Sequence, residues 1–264
     1  MVWSCLVSIL PGMAQTEKLT DYVNPFVGTD GYGNVYPGAQ IPFGGIQISP
    51  DTDSRFYDAA SGYKYNHLTL MGFSLTHLSG TGIPDLGDFL FIPGTGEMKL
   101  EPGTHEDPDQ GYRSRYSHDK EWASPNYYAV ELADYGVKAE MTSGVRSGMF
   151  RFTYPESDNA FIMIDMNHTL WQSCEWSNLR MINDSTITGY KLVKEWGPER
   201  HVYFTATFSK KLTGLRFVQD KKPVIYNTSR FRSSYEAWGK NLMACISFDT
   251  KAGEEVTVKT AISA

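Results

Sequence analysis

Cysteine is scarce in this chain. Cys5, Cys174 and Cys245 are its three cysteines in 264 residues, and their spacing makes neither a Cys-x-x-Cys motif nor a zinc site. An odd number cannot pair completely; a Cys174–Cys245 disulfide stays open, with two buried thiols the preferred reading. Basic charge is also in short supply. The formal net charge is -6, with no long basic run, and a negative surface repels phosphate backbones, so no nucleic-acid partner is expected. No stretch approaches the ~20 apolar residues that cross a bilayer, so no membrane span is expected either. Helical periodicity is missing: no segment sustains an apolar period of 3.6 for more than about two turns. The six histidines form no HxH or HxxxH pair, which removes the usual transition-metal pattern. Internal repeats and low-complexity linkers are absent, which leaves a single domain.

What is present is aromatic and strand-like. Aromatic residues make up 14% of the chain, with 16 Tyr, 14 Phe and 6 Trp; such rings suit half-exposed sheet faces and platforms that stack on sugars. Val202, Phe204, Ala206 and Phe208 alternate with polar or smaller residues, as do Leu242, Ala244, Ile246 and Phe248, and Val256, Val258, Thr260 and Ile262. A period of two predicts strands. The unbroken run Phe161 to Ile164 predicts a strand covered on both faces. Turn-formers separate the runs at Asp134-Tyr135-Gly136, Pro155 to Asn159, Asn183-Asp184-Ser185 and Ala252-Gly253-Glu254. Many short strands argue for a sandwich or a barrel.

The N-terminus carries a short apolar run, Leu6 to Ala14, ending in Gly12-Met13-Ala14-Gln15 before polar Thr16, Glu17 and Lys18. Residues 1–15 read as a partial signal peptide, without the basic start that normally opens one. That points to a periplasmic or extracellular protein. A lipid anchor at Cys5 is an option that lacks its preceding apolar stretch. The chain ends at Ala264 on a strand-like run, which reads as a sequence cut before a further segment.

The densest chemistry lies between Asn24 and Gly96. In order come Val23-Asn24-Pro25-Phe26-Val27-Gly28-Thr29, Pro37-Gly38-Ala39, Pro42-Phe43-Gly44, Ser49-Pro50-Asp51-Thr52, Ser61-Gly62-Tyr63, His77-Leu78-Ser79-Gly80-Thr81-Gly82 and Asp85-Leu86-Gly87-Asp88. Glycine at this density lets backbone approach a ligand, and the Asp, Ser, Thr and His side chains suit hydroxyls. The same residues would also build tight turns. Each motif is weak alone. Together, and followed by Ala123-Ser124-Pro125, Tyr127-Tyr128, Arg146-x-Gly148 and Arg151, they resemble glycoside hydrolase family 92, the calcium-dependent exo-acting α-mannosidases.

The resemblance implies an all-β domain over residues 21–264: a large antiparallel β-sandwich of the galactose mutarotase-like supersandwich type. A C-terminal (α/α)6 barrel would pack against it as its partner. The family's acid and base carboxylates, and most calcium ligands, belong to that barrel, so no catalytic residue and no metal ligand is assigned here. The role implied for this chain is to hold a mannose-containing glycan during inverting hydrolysis, with α-1,2 linkages the expected target. Candidate substrate contacts are Tyr57, Asp58, Ser61, Gly62, His77, Ser79 and Thr81. Tyr57 and Asp58 stand where the family has Trp-Asp, a smaller stacking face. Asp85 and Asp88 read as turn caps, Arg146 and Arg151 as ion-pair or domain-junction residues. Trp171 and Trp176 read as interdomain packing, with a second sugar platform as their alternative. A stand-alone carbohydrate-binding or adhesion module is the rival to the enzyme.

Overall fold

The computed structural model describes residues 18–54, 57–194, 199–225 and 236–264. The leader read at residues 1–15, with Cys5, lies outside the described residues. Strands dominate, and the only helical pieces among the described residues are short 3-10 turns. The loop-rich first part supplies β1 (Ser49–Asp51), β2 (Thr69–Leu70), β3 (Gly72–Ser74), β4 (Leu90–Thr95) and β5 (Ser114–Arg115). A tighter succession follows: β6 (Glu121–Ser124), β7 (Tyr127–Leu132), β8 (Val137–Ser143), β9 (Ser147–Tyr154), β10 (Ser157–Asp165), β11 (Ser173–Asn183), β12 (Thr186–Lys194) and β13 (Arg200–Phe208). The last are β14 (Gly214–Gln219), β15 (Lys222–Pro223), β16 (Glu236–Gly239), β17 (Leu242–Thr250) and β18 (Glu254–Ser263).

One sheet has seven strands in the order β1-β3-β4-β10-β17-β14-β15, the other nine in the order β16-β11-β12-β13-β18-β9-β8-β7-β6. Strands β2 and β5 form a small ribbon of their own. The pairings are antiparallel. Both sheets turn their apolar faces onto one core. Phe91, Ile162, Phe217 and Ala244 enter from the seven-stranded sheet; Val130, Phe150, Phe204 and Val258 enter from the nine-stranded one. This is the expected β-sandwich. Phenylalanine rings dominate its centre, with Phe91 at 4.9 Å from Phe150 and Phe89 at 4.5 Å from Phe204. Burying each such ring stabilises the fold by about 2–3 kcal/mol.

The strands differ in how many faces they bury. In β13 and β18 every second side chain is buried, the pattern read from the sequence. In β10 and β17 consecutive residues are buried, Ala160 to Ile164 and Leu242 to Ile246. The cause is a second apolar cluster on the far face of the seven-stranded sheet. There Ile92, Tyr112, Phe161, Met163, Met243 and Cys245 lie under Met98 and Leu100 from the β4–β5 connection. The run Phe161 to Ile164 is therefore covered on both faces, as expected. The alternation in β17 marks its inner face correctly but hides the burial of Met243 and Cys245. Cys174 in β11 and Cys245 in β17 are both buried free thiols.

Candidate functional site

Strand β10 lies centrally in its sheet, between β4 and β17, and ends at Asp165. The segment that follows, 166–172, leads into β11 and carries much of the site. Beneath it sits Asp51, the last residue of β1 and fully buried. Its Oδ1 lies 2.8 Å from His77 Nε2, and its Oδ2 lies 2.9 Å from His168 Nε2. His77 is fixed from its other side, where Nδ1 donates to the Gln47 carbonyl at 2.8 Å. Burial alone would raise the Asp51 pKa; the facing His77 and His168 reverse this and hold the carboxyl well below the usual carboxylate range. Gly62 packs against the pair with φ +86°, and a Cβ there would lie 2.2 Å from Asp51 Oδ1. Only glycine fits that backbone and that gap.

A second buried charge cluster supports the same segment. Asp88 accepts from Lys191 Nζ at 2.9 Å, Arg200 Nη1 at 2.7 Å and Thr76 Oγ1 at 2.7 Å. Lys191 Nζ also donates to the His168 carbonyl at 2.7 Å. Burial works against the Asp88 carboxylate, but Lys191 and Arg200 hold its pKa well below the ordinary value. This corrects the reading of Asp88 as a turn cap. Asp85 does cap its turn, accepting from the Leu86 N–H at 2.7 Å. Arg151 makes the ion pair expected of it, a two-pronged contact with Glu140 at 2.8 and 2.9 Å.

Over these clusters opens a groove of about 860 Å³, lined among others by Ser54, Asp165, His168, Trp171, Gln172 and Met243. Asp165 takes the Asn167 N–H at 2.8 Å, and desolvation pushes its carboxyl upward despite the nearby His168. Beside the groove stand two exposed rings. Tyr57 is 58% and Trp171 55% exposed, with ring centroids 5.6 Å apart. Trp171 holds φ at +88°, a conformation costly for an aromatic residue and one that persists only where surroundings impose it. Here those are Thr169 Oγ1 donating to the Gln172 carbonyl at 2.6 Å and Gln172 Nε2 donating to the Pro84 carbonyl at 2.6 Å. An exposed aromatic pair beside polar acceptors can stack on a sugar ring and bind its hydroxyls.

The seven residues read from the sequence do not converge on one surface. Tyr57 is exposed and touches the groove through Trp171. Asp58 lies in the 3-10 turn Tyr57–Ala59, and its side chain lies outside the described residues. Ser61 is buried, its hydroxyl donating to the Tyr63 carbonyl at 3.4 Å. Gly62 and His77 are buried against Asp51 and do not line the groove. Ser79 is exposed on its loop, and the Thr81 hydroxyl donates to the Ile83 carbonyl at 3.0 Å. His168, Asp165 and Gln172 were not singled out. His168 carried only the glycosylation-like triplet Asn167-His168-Thr169 as a signal. Among the described residues no group of three or more His, Cys, Asp or Glu is placed to hold a metal ion. No described helix is long and apolar enough to cross a membrane.

The glycosyl hydrolase family 92 N-terminal domain matches residues 22–263. The chain belongs to this family. It is similar to the solved family 92 glycosyl hydrolase ccman5, with TM-score 0.76 and 25% identity over 92% of this chain and 32% of that one. An inverting family 92 mannosidase of Bacteroides thetaiotaomicron shares the fold, with TM-score 0.73 and 23% identity over 94% of this chain and 32% of its own. A protein of Arthroderma benhamiae described as an uncharacterized secreted glycosidase is 30% identical over 139 residues, 52% of this chain and 17% of the relative. The chain thus spans about a third of the solved relatives' length.

Proposed function

We propose that this family 92 domain is the glycan-holding part of a secreted, calcium-dependent exo-α-mannosidase of the inverting kind, acting on α-1,2-linked mannose in glycans such as N-glycans. The observation that carries this reading is the Tyr57–Trp171 pair beside a groove lined by Asp165, His168 and Gln172. Support comes from the inverting mannosidase among the solved structures that share the fold. Export is supported by the leader-like N-terminus and by the secreted fungal relative.

Inverting hydrolysis needs one carboxylic acid to protonate the leaving oxygen and one carboxylate to activate water on the opposite face of the ring. Both are assigned to the (α/α)6 barrel, the partner domain of the same polypeptide. Calcium, when bound there, supplies hard-ion contacts to sugar hydroxyls. This chain's own residues bind and orient. Tyr57 and Trp171 offer faces to the ring, and the acceptors of the groove take its hydroxyl hydrogens. Of the residues read from the sequence, Tyr57 stays a proposed contact, while Gly62 and His77 act from beneath through Asp51. Holding the ring in one pose lowers the entropic part of the barrier, not the proton-transfer part.

The test is hydrolysis of α-1,2-mannobiose with calcium, by this chain and by a longer polypeptide that adds the barrel. Turnover only in the longer form supports the reading. Turnover by the short chain would move the catalytic carboxylates into it. Binding without turnover in both forms would favour the carbohydrate-binding module instead.

A further inference from the structure

His168 is held at two points. Its carbonyl accepts from the fully buried Lys191 ammonium at 2.7 Å, and its Nε2 faces Asp51 Oδ2 at 2.9 Å. An ionised carboxylate only accepts hydrogen bonds, so the hydrogen of this contact belongs to Nε2 of the imidazole. The other Asp51 oxygen is taken by His77, so the carboxylate does not turn away. Nδ1 is left. It takes no hydrogen bond from the described residues and is not sealed from the groove that His168 lines.

A second acceptor lies close by in sequence. Gln172 Nε2 is committed to the Pro84 carbonyl, and its Oε1 is buried without a hydrogen-bond partner. Gln172 lines the same groove, as does Asp165. Buried acceptors left open cost free energy until a donor reaches them. Open acceptors of this kind match the hydroxyl hydrogens of a polyhydroxylated ligand. The exposed Trp171 ring, two residues before the return into β11, gives that ligand an apolar face to lie on.

We propose that His168 is the polar anchor of the groove: Asp51 fixes its Nε2–H, and the bare Nδ1 accepts a hydrogen bond from a hydroxyl of the bound α-mannoside. This rests on the mannoside reading above and assigns a specificity role within it. Asp51 is then a positioning residue, acting through His168. Gly62 and His77, read from the sequence as contacts, serve one layer deeper by holding Asp51.

The experiment is 15N NMR of the imidazole nitrogens in this chain, titrated with α-1,2-mannobiose, alongside tryptophan fluorescence. Without sugar, His168 Nδ1 is expected to show the shift of an unprotonated nitrogen and Nε2 that of a protonated one. Sugar should move the Nδ1 signal and leave Nε2 in place. His168→Gln keeps a donor for Asp51 but removes the ring acceptor; it should weaken binding on the order of tenfold with little change in the unfolding midpoint. Asp51→Asn should let the Nδ1-protonated tautomer appear, a change that a purely structural role would not produce. A proton on Nδ1 in the free wild-type chain overturns the proposal. So does weakened binding in Trp171→Ala with none in His168→Gln, an outcome that leaves the mannoside reading standing. Silence of both signals in the wild-type chain overturns the proposal, and turnover by the longer polypeptide would then keep the mannoside reading.

Discussion

Replacing Gly62 with alanine should be far more damaging than a buried glycine-to-alanine change suggests. Two costs add. The backbone sits at φ +86°, where a Cβ costs about 1–2 kcal/mol. The new methyl would also lie 2.2 Å from Asp51 Oδ1 and 3.2 Å from the His77 ring. Neither neighbour is the loose end of a flexible side chain, since Asp51 is pinned by two histidines and His77 by the Gln47 carbonyl. The carboxylate must leave its partners, and a buried carboxylate stripped of its partners costs about 3–5 kcal/mol. The sum is roughly 4–7 kcal/mol, or about 8 °C or more in Tm for a domain of this size. Gly80 supplies the control: its φ is +74°, yet nothing lies within 4 Å of its added Cβ. Gly80→Ala should lose only the backbone part, about 1–2 kcal/mol. Denaturant unfolding of both variants measures the difference. Equal losses would show that Asp51 yields freely and is no fixed point of the site.

Three further outcomes follow from the same geometry. Asp88→Asn leaves Lys191 buried with half its compensation gone and should cost about 3–5 kcal/mol in urea unfolding; a loss below 1 kcal/mol would mean that water or relaxation replaces the carboxylate. Asp51 and Asp88 both have folded pKa values below their unfolded ones, so the stability they contribute is full above about pH 4 and is lost as pH falls below it. The slope should approach about 1.4 kcal/mol per pH unit for each carboxyl, read as the shift of the urea midpoint between pH 5 and pH 3, and a flat profile would contradict the assignment. Tyr57→Ala and Trp171→Ala remove exposed rings and should leave Tm within about 2 °C while weakening mannobiose binding several-fold; a large drop in Tm with unchanged binding would make the pair structural.

The fold was legible because its signal is repetitive. Alternation in β13 and β18, and the continuous run in β10, report directly how many faces of a strand are covered. The site was less legible because its key contacts join distant positions. Asp51 meets His168 across 117 positions, and Asp88 meets Arg200 across 112. No local pattern marks such partners. Gly62 and His77 drew notice as motif residues, yet nothing in a motif tells whether its side chains face the ligand or the residue behind it. Lys191 was the one local clue overlooked: it shares the inward parity of Ile187 and Val193 in β12, and a lysine there demands a buried anion.

That lysine also explains why an aromatic residue can stand at positive φ beside the groove. The segment 166–172 has its His168 carbonyl tied to Lys191, its His168 ring tied to Asp51, and its far end tied through Gln172 to Pro84. Each tie comes from a different part of the chain: β12, β1 and the loop before β4. Strain of one to a few kcal/mol at Trp171 is sustained only because three independent contacts must fail before the loop relaxes. The backbone that carries the ring is therefore held on both sides, so the proposed binding would leave most of the ordering cost to the ligand. The buried charges behind the groove thus tie down the segment that carries the exposed Trp171 ring.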